Sequence, residues 1–168
     1  MKDGMKTGRR VLALVAVAGV LGIAAGPAQA ATPKWVYLFR QLNAVRTAHG
    51  LRPIAASQRL RIAARRHSQD MLWREYFAHT SPTGSTLTHR VIASGFVTYG
   101  QWWAGETLAW GSGGYGTPAA VVKAWLRSPE HRAILLSPRY HLVGIGCSYG
   151  TFLGHPGASV WTVDWGHR

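Results

Sequence analysis

His79, Glu106, His131 and Asp164 stand at junctions between apolar segments of a 168-residue chain. Imidazoles and carboxylates can move protons near neutral pH, orient one another, or hold a divalent cation. No two of the four are close in sequence, and no local motif such as HExxH is present. Any site they form must be assembled by the fold. Composition and periodicity alone do not select these four from the eight histidines of the chain and the five acids of residues 31–168.

Each has more than one reading. Glu106, in "GETLAWG", can act on imidazoles that the fold brings beside it, since a carboxylate favours their charged forms and sets their tautomers. It can equally satisfy buried N–H groups where Gly105 lets chains approach closely. Two histidines and a carboxylate brought together by the fold could also hold Zn²⁺, leaving a position open for a water whose pKa would fall to about 7. Zn²⁺ is thus the one cofactor the residues suggest. Ser81, Ser85 and Ser128 are nucleophiles only if a base lies within reach. His67 shares an apolar helical stripe and reads as a satisfied core histidine. Cys147, the only cysteine, lies in an apolar run and reads as a buried, inert thiol.

The elements that must position these groups are legible in part. "PKWVYLFRQLNAVRTAHG" has Trp35, Leu38, Leu42 and Val45 at helical spacing, with Gly50 as the stop. A second helix follows Ser57 as N-cap and buries Leu60, Ala64, His67 and Met71. On it, Asp70 lies four residues from both Arg66 and Arg74, the spacing of an ion pair. "FAHTSPTGST" reads as a loop and about 86–93 as a short helix. Thr117-Pro118 and Ser128-Pro129 each start a further helix. "YHLVGIGCSY" and "SVWTVDWG" read as strands, the second with Val160, Thr162 and Asp164 on one face and Trp161, Val163 and Trp165 on the other. A third strand is expected within 96–110. Helices first and strands afterwards predict an α+β domain with an antiparallel sheet under helices.

Residues 1–30 read as a signal peptide. Lys2, Lys6, Arg9 and Arg10 precede an apolar run from Val11 to Ala25, and Ala28-Gln29-Ala30 is a small-x-small cleavage site. The run is shorter than the ~20 residues that span a bilayer. Export and cleavage after Ala30 are expected, by a route that Arg9-Arg10 leaves open. Residues 31–168 then form a single domain without a transmembrane segment. They hold fifteen Lys and Arg, thirteen of them Arg, against five acids, a net charge of +10. For an exported protein that charge points to anionic envelope polymers or lipid heads rather than nucleic acid, or to a generally basic surface. Most of the eight tryptophans read as core; Trp103 and Trp110 are the rings to test for stacking on sugars or acyl chains.

The stretches "LNAVRTAHGL", "RRHSQDM", "FAHTSPTGST", "GETLAWG", "VVKAWLRSPEHRAILL", "VGIG" and "WTVDWG" occur in one order across nearly all of 35–166. In that order they resemble the CAP superfamily (cysteine-rich secretory proteins, antigen 5, pathogenesis-related proteins), and more closely its bacterial SCP-like extracellular members. The resemblance implies an α-β-α sandwich with a small central antiparallel sheet flanked by helices. It also implies a cleft lined in eukaryotic members by two His and two Glu. His79 and Glu106 match the first histidine and first glutamate, with Thr107 where Asn is commoner. His131 matches the second histidine by its spacing of thirteen residues to Gly144. The second glutamate is replaced by Ser128, within a Ser-Pro-x-His-Arg string shared by the bacterial pattern. That leaves a His/Glu/His set, with Asp164 as a possible fourth member and Ser128 as a candidate ligand contact. The expected function is a secreted module that binds a lipid, a cell-wall glycan or an envelope polyanion; the alternative is a metal-assisted peptide or ester hydrolase using the same residues.

Overall fold

The computed structural model describes Met1, residues 32–97 and residues 100–168. Apart from Met1, the expected leader lies outside the described residues. Helix α1 is Lys34–Ala48 and ends where Gly50 turns the chain with φ +72°. Helix α2, Gln58–Arg74, begins at Ser57, whose hydroxyl accepts from Leu60 N. Helix α3, Leu87–Ala93, begins at Thr86 in a capping box closed by His89. Helix α4, Pro118–Arg127, starts from Thr117, which accepts from Ala120 N. Helix α5, Pro129–Leu135, starts after Ser128. There Pro129 supplies the helical φ, but the Ser128 hydroxyl does not cap the helix. These starts fall where the sequence places them because capping is settled within a single turn.

Strands β1 (Ala55–Ala56), β2 (Trp103–Ser112), β3 (Leu142–Phe152) and β4 (His155–His167) form one sheet in the order β1-β3-β4-β2. β3 and β2 flank β4 antiparallel. The short β1 pairs parallel with β3, so the expected antiparallel sheet is mixed at one edge. The reason is local: Ala55 N donates to His141 O and Ser57 N donates to Val143 O, which leads the chain directly into α2.

Helices cover both faces of the sheet. On one side Trp161, Val163 and Trp165 of β4 pack with Val143 and Ile145 against Leu38 and Leu42 of α1 and Val121 and Trp125 of α4. On the other, Val160 and Leu108 meet Met71 of α2, while Leu60 and Ala63 meet Val91 and Phe96. This is an α-β-α sandwich, and the alternation expected for β4 assigns its two faces correctly. Trp125, Trp161 and Trp165 are almost fully buried. At about 25 cal/mol per Å² and 150–250 Å² per ring, each contributes roughly 4–6 kcal/mol before entropy is counted. Their indole N–H groups are satisfied by Leu108 O, Gly116 O and Thr107 Oγ1 respectively.

The "VGIG" stretch has a steric explanation. Val143 and Ile145 point into the α1 side. Gly144 and Gly146 point at α2, where a Cβ would run into the backbone at Leu60–Arg61 and at Ala64–Arg65. Helix α2 therefore lies directly on β3, and this close seating brings its inner face up to the carboxylates of β2 and β4. Among the described residues no helix is long and apolar enough to cross a membrane.

Candidate functional site

Strand β2 turns Glu106 toward the α2 side of the sheet, where its side chain is only 2 % exposed. Three elements converge on it. The loop after α2 carries His79, whose Nδ1–H donates to Glu106 Oε1 at 2.7 Å. Helix α3 carries Arg90, whose Nη2 donates to Glu106 Oε2 at 2.7 Å. The same guanidinium donates to His79 O at 3.0 Å and Ser85 O at 2.9 Å, so it also pins the loop that holds His79. Behind them His67 is buried, with Nε2 donating to Ala78 O at 3.0 Å. Its 4.0 Å separation from Glu106 Oε2 is too long for a hydrogen bond. His67 is the satisfied core histidine expected.

These contacts set the charges. Burial alone would push the Glu106 carboxyl up, but the His79 bond and the Arg90 and His67 charges hold it below the usual carboxylate range. The bond to Glu106 raises the His79 pKa above its ordinary value, against partial burial and the Arg90 charge. Burial lowers that of His67. His79 is thus a positively biased imidazole at the surface, its side chain 60 % exposed, braced from within by a carboxylate that Arg90 neutralises.

Asp164 faces Glu106 directly across the β2–β4 pair and is fully buried. Neither of its carboxyl oxygens has a hydrogen-bond partner among the described residues. Burial, then the Glu106 charge, push its pKa well above the usual range. Asp164 therefore lies behind the site, where burial and the Glu106 charge disfavour its ionised form, rather than on the surface.

His131 is half-buried in the first turn of α5, its Nδ1 3.0 Å from Ser128 Oγ and its ring 6.4 Å from that of Trp125. It makes no bond to Glu106. Burial, then the charge on His79, lower its pKa, so the two imidazoles feel one another. The Ser128 hydroxyl is committed to this histidine instead of the helix cap.

Trp103 and Trp110 stand apart from His79. Trp103 is exposed beneath the Arg139 guanidinium, 5.6 Å from ring to charge, and alternation puts it on the sheet face opposite Glu106. Trp110 lies on the Glu106 face but roughly 13 Å along the strand, its ring 5.3 Å from both Phe152 and His155. Burial raises the Cys147 thiol to about 11, leaving it unreactive.

Among the described residues no three His, Cys, Asp or Glu side chains are grouped to hold a metal ion. Both Glu106 oxygens are taken, and the Arg90 guanidinium 2.7 Å from one of them opposes a dication. In this arrangement Glu106 has no oxygen free for a dication. Arg90, which the sequence reading passed over, is the residue that organises the site. The only sequence signal for it is that a buried glutamate requires a cation, and thirteen arginines in residues 31–168 leave that choice open.

The α-β-α sandwich and its Glu106–His79 bond are set in a chain that belongs to the CAP family: the family model "CAP: Cysteine-rich secretory protein family" matches residues 39–165. It is 38% identical over 104 residues to the uncharacterized protein YkwD of Bacillus subtilis, a match covering 62% of this chain and 38% of that protein. A crystal structure of an extracellular protein containing a SCP domain from Bacillus anthracis superposes with TM-score 0.65 at 28% identity. That match covers 79% of this chain and 40% of the other. An outer surface protein of Borrelia burgdorferi shares the fold with TM-score 0.63 at 22% identity, over 80% of this chain and 92% of that one. The chain thus spans about two fifths of the length of the two Bacillus proteins.

Proposed function

We propose that this chain is an exported binding module, and that its cleft at His79 takes an anionic group of a cell-envelope lipid or polymer. The observation that carries the reading is the single bond between Glu106 Oε1 and His79 Nδ1 at 2.7 Å. That bond aims Nε2 outward and keeps the ring biased toward its charged form. Arg90 has already neutralised the carboxylate, so the mouth presents a donor and positive charge rather than a strong base. Support comes from the +10 charge of residues 31–168, the leader-like residues 1–30, and relatives described as extracellular or outer-surface proteins.

Flotation of purified protein with phosphatidylglycerol vesicles tests it, with phosphatidylcholine vesicles and a soluble poly(glycerol phosphate) chain alongside. Selective binding of an anionic species, weakened several-fold by His79→Ala, is expected. Loss of binding on raising salt assigns the polymer, and persistence at high salt assigns the lipid. Equal affinity for neutral vesicles, or an unaffected His79→Ala protein, would sink the proposal.

One observation favours a second reading, ester hydrolysis. Ser128 Oγ lies 3.0 Å from His131 Nδ1, and burial favours the neutral imidazole that can accept the hydroxyl proton. In that case Ser128→Ala abolishes turnover of an activated ester, and a chelator has no effect. Undiminished turnover in Ser128→Ala removes this reading.

A further inference from the structure

A cavity of about 360 Å³ lies between α2 and α3, and none of His79, Glu106 and His131 lines it. Arg66 of α2 forms one wall, Ser81, Thr83 and Ser85 of the loop another, and Arg90 of α3 closes the inner end. The volume falls within the range of small-molecule sites.

The charge balance around it is uneven. Arg66 and Arg74 both lie one helical turn from Asp70, yet only Arg74 binds it, Nε to Oδ1 at 2.8 Å. The other carboxylate oxygen accepts from the Tyr76 hydroxyl at 2.5 Å. Asp70, the only acid lining the cavity, is therefore already matched. Arg66 has no hydrogen-bond or ion-pair partner among the described residues. Deeper in, Arg90 Nε is a buried donor without a partner among the described residues, on a side chain only 8 % exposed. Ser81 and Thr83 hold each other's hydroxyls at 2.6 Å, and the Ser85 hydroxyl has no partner among the described residues.

A planar guanidinium with no carboxylate partner suits a tetrahedral oxyanion. Neighbouring hydroxyls suit an alcohol. The cavity is larger than a phosphate group needs and leaves room for a short polyol beside it. We propose that this cavity is a binding site for a phosphorylated polyol of glycerol phosphate type. Arg66 holds the phosphate, Ser81, Thr83 and Ser85 take the polyol hydroxyls, and Arg90 supplies positive charge at the inner end. The site shares Arg90 with the His79–Glu106 cluster, but its phosphate contact Arg66 lies outside that cluster, and it does not depend on the function assigned to His79.

Titration calorimetry of purified protein with sn-glycerol 3-phosphate tests the proposal. Saturable binding is expected, weakened at least tenfold by Arg66→Ala and partly kept by Arg66→Lys. Glycerol alone should not bind. Arg66 is exposed, so its variants should fold, and a thermal melt checks this. No saturable heat, or wild-type affinity in Arg66→Ala, overturns the site. Loss in His79→Ala with Arg66→Ala unaffected also overturns it, by moving the binding to the cleft. Phosphatidylglycerol vesicles and a poly(glycerol phosphate) chain then distinguish a lipid headgroup from a wall polymer. Both are read in the His79→Ala protein, so that the cleft does not contribute: residual capture there that is lost on adding Arg66→Ala upholds the pocket, and equal capture with and without Arg66 overturns it.

Discussion

Arg90 Nη2 lies 2.7 Å from Glu106 Oε2, with the two side chains 8 % and 2 % exposed. That ion pair ties α3 to β2, and the same guanidinium fixes the loop between α2 and α3 through two carbonyls, those of His79 and Ser85. Breaking a buried pair by removing one partner is costly because the other charge stays in low dielectric.

Glu106→Gln and Arg90→Met should each lower unfolding free energy by about 3–5 kcal/mol. Urea denaturation at pH 7 measures this. The double variant should recover at least half of that sum, since it leaves neither charge buried alone. Strictly additive losses would mean that the two side chains do not act as a pair.

His79 should titrate above its ordinary value of 6.5, and Glu106→Gln should bring it down. The sign follows from linkage. A histidine with a raised folded pKa adds stability that is fully present below its unfolded pKa and is lost as pH rises through the folded one. The stability gap between wild type and Glu106→Gln should therefore narrow from pH 6 upward through the His79 titration. Histidine ring proton shifts in NMR report the pKa, and melts across pH report the gap.

Asp164 should carry its proton at pH 7, so Asp164→Asn is close to isosteric with the native state. The native carboxyl keeps a proton that the unfolded chain releases near 3.8, so stability falls as pH rises above that value. Asp164→Asn removes this penalty. It should equal or exceed the wild type in stability at pH 7, with the difference shrinking toward pH 4. A loss of several kcal/mol at pH 7 would show that Asp164 is ionised.

Gly146→Ala should destabilise by about 3 kcal/mol or more, because the methyl group meets α2 backbone at Ala64–Arg65, which cannot rotate away. Gly100→Ala is the contrasting control: an added Cβ has nothing within 4 Å among the described residues, and a φ of +80° opposes the change. Thermal melts of both variants compare the two effects.

The site was only partly legible in the sequence. The motif match led to His79 and Glu106, which do bond. It also led to His131, which bonds Ser128 instead, and to Asp164, which is closed off from solvent. The i,i+4 spacing allowed Asp70 both Arg66 and Arg74; only Arg74 is taken, because Tyr76 occupies the second oxygen. Arg46 carried no signal, yet it is buried with four backbone carbonyls as partners.

Helix starts at Ser57, Thr86 and Thr117, and the two faces of β4, were determined by the sequence alone, since capping and pleat alternation act within a few residues. Only the tertiary structure decided which arginine neutralises Glu106, which acid is buried without a partner among the described residues, and which cation is left facing a cavity. Those outcomes depend on burial and on distances between groups far apart in the chain, and no periodicity encodes either.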